Sequence, residues 1–250
     1  GVQQRAAIKS KSVESAGAKG DTRTLTPHTL VMTATPIPRT LALTLLGDLD
    51  VSTIDELPPG RSPIATRVVT PDKSAEVYGF VRQRLDAGDQ AYIVVPAIDT
   101  GASAGDEGLA DLRSVMARLE AHELTGKRLA AMHGRLLPRT RDHIMHRFRA
   151  GAIDALIATT VIEVGVDVPN ATVMVIEHAD LFGLAQLHQL RGRVGRGKKR
   201  SVCVLISEPK TPDAEQRLAA MAKTTDGFAL AEKDLEIRGP GEVFGQKQAG

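Results

Sequence analysis

Short apolar runs alternate with amphipathic stretches between residues 64 and 207. The runs are four to six residues long with almost no polar alternation, which predicts strands buried on both faces. They lie at 64–69, 91–95, 128–132, 155–158, 171–176 and 202–206. The stretches between them carry apolar residues at helical spacing, at 72–85, 109–124, 138–148 and 184–190. This alternation predicts one α/β domain, a doubly wound parallel sheet with helices on both faces.

Both flanks of this domain depart from the alternation. Residues 30–32 predict a short buried strand, and residues 48–63 form a linker by composition because they include Pro58-Pro59-Gly60. Downstream, 211–224 and 228–236 predict two further helices, followed by a glycine-rich tail. That tail is open to two interpretations, a helical hairpin with a functional loop or a frayed terminus.

Composition limits the possible functions of the chain. A formal net charge of +2 over 250 residues means that any signal for nucleic acid must be local. Aromatic residues make up 3%, which argues against a platform that stacks many bases. The single cysteine, Cys203, lies in an apolar run and predicts a buried structural thiol in a reducing, cytoplasmic setting. Neither a signal peptide nor an apolar run of membrane-spanning length is present, so we expect no membrane partner.

A local basic stretch ends the helix predicted at 184–190. Six cationic residues and no acid lie between Gln186 and Arg200. Arg193 and Arg196 are three residues apart, so a helix would place both guanidiniums on one face, where they suit a polyanion. The competing interpretation is a solvated basic helix end.

Further polar residues follow predicted strands, where ligands gather in open parallel sheets. Thr159 and Thr160 directly follow one strand, the segment with Gly165 and Asp167 comes next, and His133-Gly134-Arg135 follows another strand. Ordinary turn chemistry and a packed histidine are the simpler explanations for these residues. The helix at 138–148 adds a second basic patch.

The stretch from Gly192 to Lys199 has the spacing of a P-loop but does not predict one. Lys199 stands where a P-loop needs Ser or Thr, and the stretch follows a helix rather than a strand. No other P-loop and no acidic strand end that would hold a metal occur in the sequence. Arginines without their own phosphate cradle are typical of an arginine finger, whose partner domain lies elsewhere.

Several of these segments resemble motifs of superfamily two helicases. Residues 33–36 resemble motif III, 158–169 motif V and 189–196 motif VI of the second motor domain. Residues 35–42, 55–61 and 234–242 are similar to the bacterial RecG family of ATP-dependent DNA helicases. The transcription-repair coupling factor shares several of these blocks, but 55–61 and 239–241 favour RecG. The likeness covers nearly the whole chain and is weakest at 9–26 and 99–108.

The resemblance implies a C-terminal motor fragment with a RecA-like fold. Residues 1–47 would be a remnant of the first motor domain, 64–207 the second motor domain, and 208–250 a helical hairpin and translocation loop. ATP and Mg²⁺ would be bound mainly by the missing first motor domain, and a missing wedge domain would engage forked or branched DNA. The whole protein would reverse replication forks or migrate Holliday junctions in the bacterial cytoplasm, associated with the nucleoid, and the fragment would be inactive alone.

The resemblance also assigns roles to individual residues. Arg193 and Arg196 would stabilise the transferring phosphoryl group, with Gln189 orienting the helix or the water. Gly165 and Asp167 would complete the nucleotide side. The residues that would contact DNA or couple the motor to it are Thr159, Thr160, His133, Arg135, Thr33, Thr35, Arg238 and Gln248. The alternative from another class is a non-enzymatic module that binds phosphate or nucleic acid.

Overall fold

The computed structural model describes residues 63–96, 107–159 and 168–239, with the pairs 13–14 and 24–25 and the single positions 30, 32, 52 and 54. Strands β1 (Val13–Glu14) and β2 (Thr24–Leu25) form a short antiparallel pair that the sequence pattern did not predict. Leu30 and Met32 are 81% and 83% exposed and lie outside any strand. The buried strand predicted at 30–32 is therefore wrong at these positions, because no described strand pairs with them.

A six-stranded parallel sheet forms the centre of the described residues. Its strands are β3 (Ile64–Val69), β4 (Gln90–Val94), β5 (Leu129–Met132), β6 (Ala155–Ala158), β7 (Ala171–Ile176) and β8 (Ser201–Ile206). They run in the order β3-β8-β7-β4-β6-β5, so β3 and β5 are the two outer strands. Strands β4, β6 and β7 are buried along their whole length, as their largely apolar runs predict.

Helices cover both faces of the sheet. Helices α1 (Ser74–Asp86) and α2 (Glu107–Ala121) pack on one face, where Val81 and Leu119 meet Ile93 and Val175. Helices α3 (Pro138–Arg149) and α4 (Leu184–Arg191) pack on the other face. The predicted doubly wound parallel fold is therefore confirmed.

Two further helices, α5 (Pro212–Lys223) and α6 (Gly227–Arg238), form the predicted C-terminal helical hairpin. Capping explains where each begins. The Thr211 hydroxyl accepts a hydrogen bond from the Ala214 amide at 3.2 Å, and an Asp226 carboxylate oxygen accepts one from the Phe228 amide at 2.8 Å. The two helices pack against each other and against α4, so the hairpin is joined to the helix that precedes the basic stretch.

Candidate functional site

The carboxyl edge of the sheet brings together two of the predicted DNA-contacting residues. His133 follows β5 and Thr159 follows the adjacent strand β6. The amide of Thr159 donates a hydrogen bond to the carbonyl of Met132 at 3.1 Å, so the two strand ends are held side by side. Thr159 is buried, whereas His133 is partly exposed.

His133 lies in a positive environment. Burial lowers the pKa of its imidazole, and the nearby charges of Arg113 from α2 and of Arg135 lower it further. The ring is therefore neutral at pH 7, because the ordinary histidine pKa of about 6.5 is already below that value. Its Nδ1 is buried and has no hydrogen-bond partner within the described residues. A ring nitrogen beside two guanidiniums suits contact with phosphate oxygens.

The prediction that Arg193 and Arg196 lie on one face of a helix is wrong. Helix α4 ends at Arg191, and residues 192–200 form a loop, hereafter the arginine loop. Gly195 has a φ of +77°, a left-handed conformation that glycine adopts without strain. The Nε of Arg196 donates to the carbonyl of Gly192 at 3.2 Å. Two glycines in four residues end the helix, so a turn and not a helix sets the directions of the two arginines.

Arg193 is a buried charged residue within the arginine loop. Its side chain is buried, with 9% of the residue exposed, and it makes no hydrogen bond or ion pair with any other described residue. Burial lowers the pKa of its guanidinium, and the neighbouring charge of Arg196 lowers it further. A buried cation is costly unless an opposite charge pairs with it. This arrangement therefore suits an anion with several oxygens, which would contact both guanidiniums.

The arginine loop lies at the amino edge of the sheet. A Cβ added to Gly197 would lie 2.6 Å from the carbonyl oxygen of Pro169, which precedes β7. Lys199 Nζ lies 2.6 Å from Oδ1 of Asp89, the residue that directly precedes β4. Residues 168–170, which directly follow the Gly165–Asp167 segment, are therefore at this edge. Gly165 and Asp167 themselves lie outside the described residues, so their predicted place at the carboxyl ends of strands stays a prediction.

Gln189 lies on the outer face of α4. It is exposed, whereas Leu187 and Leu190 on the same helix are buried in the core. Its side chain is therefore available to a partner that approaches the end of α4.

Arg191 is a residue whose role the sequence interpretation missed. It is 2% exposed, and its Nη1 donates to the carbonyls of Met221 at 3.0 Å and Thr224 at 2.8 Å. It thus caps the carboxyl end of α5 and connects the arginine loop to the hairpin. Its spacing of four residues from Leu187 on the apolar face of α4 was a signal for this burial.

Other predicted site residues fall outside the described part of the chain. These are Thr33, Thr35, Thr160, Gly165, Asp167 and Gln248. Arg238 ends α6, and its side chain is likewise outside what the structure describes.

Two further properties concern only the described residues. None of their helices has both the length and the apolar character needed to span a membrane. Within the same residues, no group of three or more His, Cys, Asp and Glu side chains is placed to bind a metal ion.

Comparison with known proteins identifies the class to which this fold and these motifs belong. Residues 74–198 match the family described as the helicase conserved C-terminal domain. The match covers half of the chain, from the first turn of α1 to the arginine loop. The chain belongs to this family.

Within the family, the resemblance to RecG predicted from the motifs is confirmed over the whole chain. The chain is 49% identical to the ATP-dependent DNA helicase RecG of a Synechocystis species and 52% identical to that of Mycobacterium bovis, with 100% of the chain aligned. It covers 28% and 34% of those proteins, so it spans about a third of their length. A solved structure of RecG bound to a three-way DNA junction is 46% identical, with a TM-score of 0.73 over 91% of this chain and 29% of that one.

Proposed function

We propose that the chain is the second motor domain of an ATP-dependent DNA helicase that remodels forked or branched DNA, as in fork reversal and Holliday junction branch migration. The observation that carries this proposal is the buried guanidinium of Arg193 beside Arg196, a pair suited to phosphate oxygens. The similarity to RecG proteins, one of them solved on a three-way junction, supports DNA as the partner. The protein would act in the bacterial cytoplasm, at the nucleoid.

In this proposal ATP and Mg²⁺ are held mainly by a first motor domain, which carries the P-loop. Arg193 and Arg196 contact the γ-phosphate and stabilise the negative charge that develops as the phosphoryl group is transferred. In other nucleotide hydrolases such an arginine increases the rate by about 10³–10⁵. Gln189, exposed at the end of α4, orients the helix or the attacking water, and Gly165 and Asp167 complete the nucleotide side.

The DNA side of the motor is the carboxyl edge of the sheet. Thr159, Thr160, His133 and Arg135 contact the sugar-phosphate backbone, which positions a duplex without reading its bases. Thr33 and Thr35 link the nucleotide state to domain closure. Arg238 and Gln248 couple that closure to translocation. Nucleotide and DNA thus bind at opposite edges of one sheet, so a rigid movement of the domain transmits closure from one to the other.

Substitution of Arg196 tests this proposal. In the full-length protein we expect Arg196→Ala to abolish DNA-stimulated ATP hydrolysis and to leave binding of a three-way junction unchanged. Arg200→Ala is the matched control, since it removes the same charge four residues away and keeps the carbonyl that accepts from Arg84. Normal turnover by Arg196→Ala would refute the role of the arginine finger.

A non-enzymatic phosphate- or nucleic-acid-binding module is the second candidate, because the described residues hold an anion-suited arginine pair without a triphosphate cradle. That module would bind its ligand without a first motor domain. Tight binding of ATP by residues 1–250 alone would favour it over the motor.

A further inference from the structure

The outer face of α3 is a cationic surface to which the proposed mechanism gives no role. The helix carries four arginines and a single acid, Asp142. Arg139, His143 and Arg147 follow one another at intervals of four residues and are all exposed. Met145 and Phe148 on the opposite face are buried against the sheet. The whole chain has a net charge of only +2, so this helix is far more positive than the molecule around it.

The position of α3 makes this surface continuous with the carboxyl edge. The helix begins five residues after His133, where β5 ends, and it runs back to the amino edge, where β6 begins. Helix α3 packs on the face of the sheet near the outer strand β5, and its Phe148 reaches Tyr92 of β4. The row Arg139–His143–Arg147 therefore starts near the carboxyl edge, four residues after Arg135 in the chain, and runs along the outer side of α3 toward the amino edge.

We propose that this face of α3, with Arg139 and Arg147 as its charged contacts, binds the phosphate backbone of duplex DNA beyond the strand ends. The inference rests on the proposed function, since it extends the DNA contact of the same motor domain. Four residues of an α-helix advance about 6 Å, so the row presents donors at regular intervals along a polyanion. The contacts go to phosphates, so the binding is independent of sequence.

Charge complementarity favours DNA as the partner of this surface. Arginine guanidiniums remain charged and form two parallel hydrogen bonds to phosphate oxygens. Arg139 and Arg147 are eight residues apart on the exposed face, so they can contact separate phosphates along one strand. DNA that binds them releases counterions as it does so.

The test uses the full-length protein and a fluorescein-labelled three-way DNA junction. The Arg139→Ala/Arg147→Ala variant is compared with Arg67→Ala/Lys210→Ala. The control removes the same charge from exposed residues on or just after β3 and β8, at the opposite side of the sheet. Binding is measured by anisotropy from 50 to 300 mM KCl, and ATP hydrolysis is measured with and without the junction.

We expect the Kd of the α3 variant to rise on the order of tenfold and its salt slope to fall by about 2, while the control matches wild type. ATP hydrolysis without DNA stays at the wild-type level, and more DNA is needed for half-maximal stimulation. If the wild type is stimulated by DNA and both variants bind it equally well, the α3 surface is refuted and the proposed function stands. If the wild type itself shows no DNA-stimulated hydrolysis, the proposed function fails first.

Discussion

The ammonium group of Lys199 lies 2.6 Å from Oδ1 of Asp89, a carboxylate that is buried at the amino edge of the sheet. Arg84 approaches the same carboxylate from α1, with its Nε 2.8 Å from Oδ2. The Nη2 of Arg84 also donates to the carbonyl of Arg200 at 3.0 Å. The carboxyl end of the arginine loop is therefore attached to the first helix of the domain as well as to its own strand.

This attachment predicts that Lys199→Ala slows the motor without unfolding it. Lys199 is half exposed, so its loss costs little stability, but it releases the segment that follows Arg196. A small displacement of a catalytic group costs up to about a hundredfold in rate, and we expect about a tenfold lower kcat for DNA-stimulated ATP hydrolysis. Lys199→Arg should restore most of the rate, and Arg200→Ala should leave it unchanged. An unaltered kcat in Lys199→Ala would show that the Lys199–Asp89 ion pair does not position the loop.

The arginine loop also shows where sequence reasoning about the site reached its limit. The helical spacing assumed for Arg193 and Arg196 does not apply beyond Arg191, where α4 ends. Gly192 and Gly195 were the local signal that the helix ends. The burial of Arg193 depends on packing between distant segments, which no local pattern records.

The fold was largely predictable because its strands are short apolar runs. Strands 64–69, 155–158 and 171–176 were predicted with the bounds that the structure has. Gln90 was missed as the first residue of β4, since a buried amide does not fit an apolar run. Its Nε2 donates to the carbonyls of Phe148 at 2.6 Å and Ile153 at 2.7 Å, which compensates its burial. The strand order was not predicted, because pairing joins residues far apart in sequence.

Arg191 should contribute more to stability than an exposed arginine. Its Nη1 makes charge-assisted hydrogen bonds to two carbonyls at the end of α5. Such bonds contribute about 1.5–3 kcal/mol each, so we expect Arg191→Ala to lower the free energy of unfolding by about 2–4 kcal/mol. Urea titration measures this loss, and Arg67→Ala, an exposed control, should change it by less than about 0.5 kcal/mol. If the two variants have the same free energy of unfolding, the hydrogen bonds of Arg191 to the end of α5 do not stabilise the protein.

The buried hydroxyl of Tyr78 should make stability fall at alkaline pH. It donates to Glu177 Oε1 at 2.6 Å, and Arg118 Nη2 contacts the same oxygen at 2.9 Å. Burial, and then the charge of Glu177, raise the pKa of Tyr78 well above its ordinary value of 10.0. The unfolded chain thus loses this proton near pH 10 while the folded chain keeps it, so the stabilisation is complete below pH 10 and declines above it.

Replacement of this tyrosine removes the titrating group. We expect the free energy of unfolding of Tyr78→Phe to fall less steeply than that of the wild type between pH 10 and pH 11. Urea titrations at half-unit steps of pH measure both slopes. Equal slopes in the two proteins would mean that Tyr78 loses its proton at no higher pH in the folded state than in the unfolded chain.

Gly197 and Gly79 form a matched pair for testing the contact that fixes the arginine loop. A Cβ at Gly197 would lie 2.6 Å from the carbonyl oxygen of Pro169, and this backbone can yield only if the loop moves. We expect Gly197→Ala to cost about 1–3 kcal/mol of stability and to lower DNA-stimulated ATP hydrolysis.

Gly79 lies within α1, and a Cβ there would meet nothing within 4 Å. Gly79→Ala should therefore stabilise the protein by up to about 1 kcal/mol, because alanine favours the helix, and should leave hydrolysis unchanged. Urea titration and an ATPase assay on the two variants separate the effects. If Gly197→Ala hydrolyses ATP as fast as Gly79→Ala does, close packing of the loop on Pro169 is not required for the placement of Arg193 and Arg196.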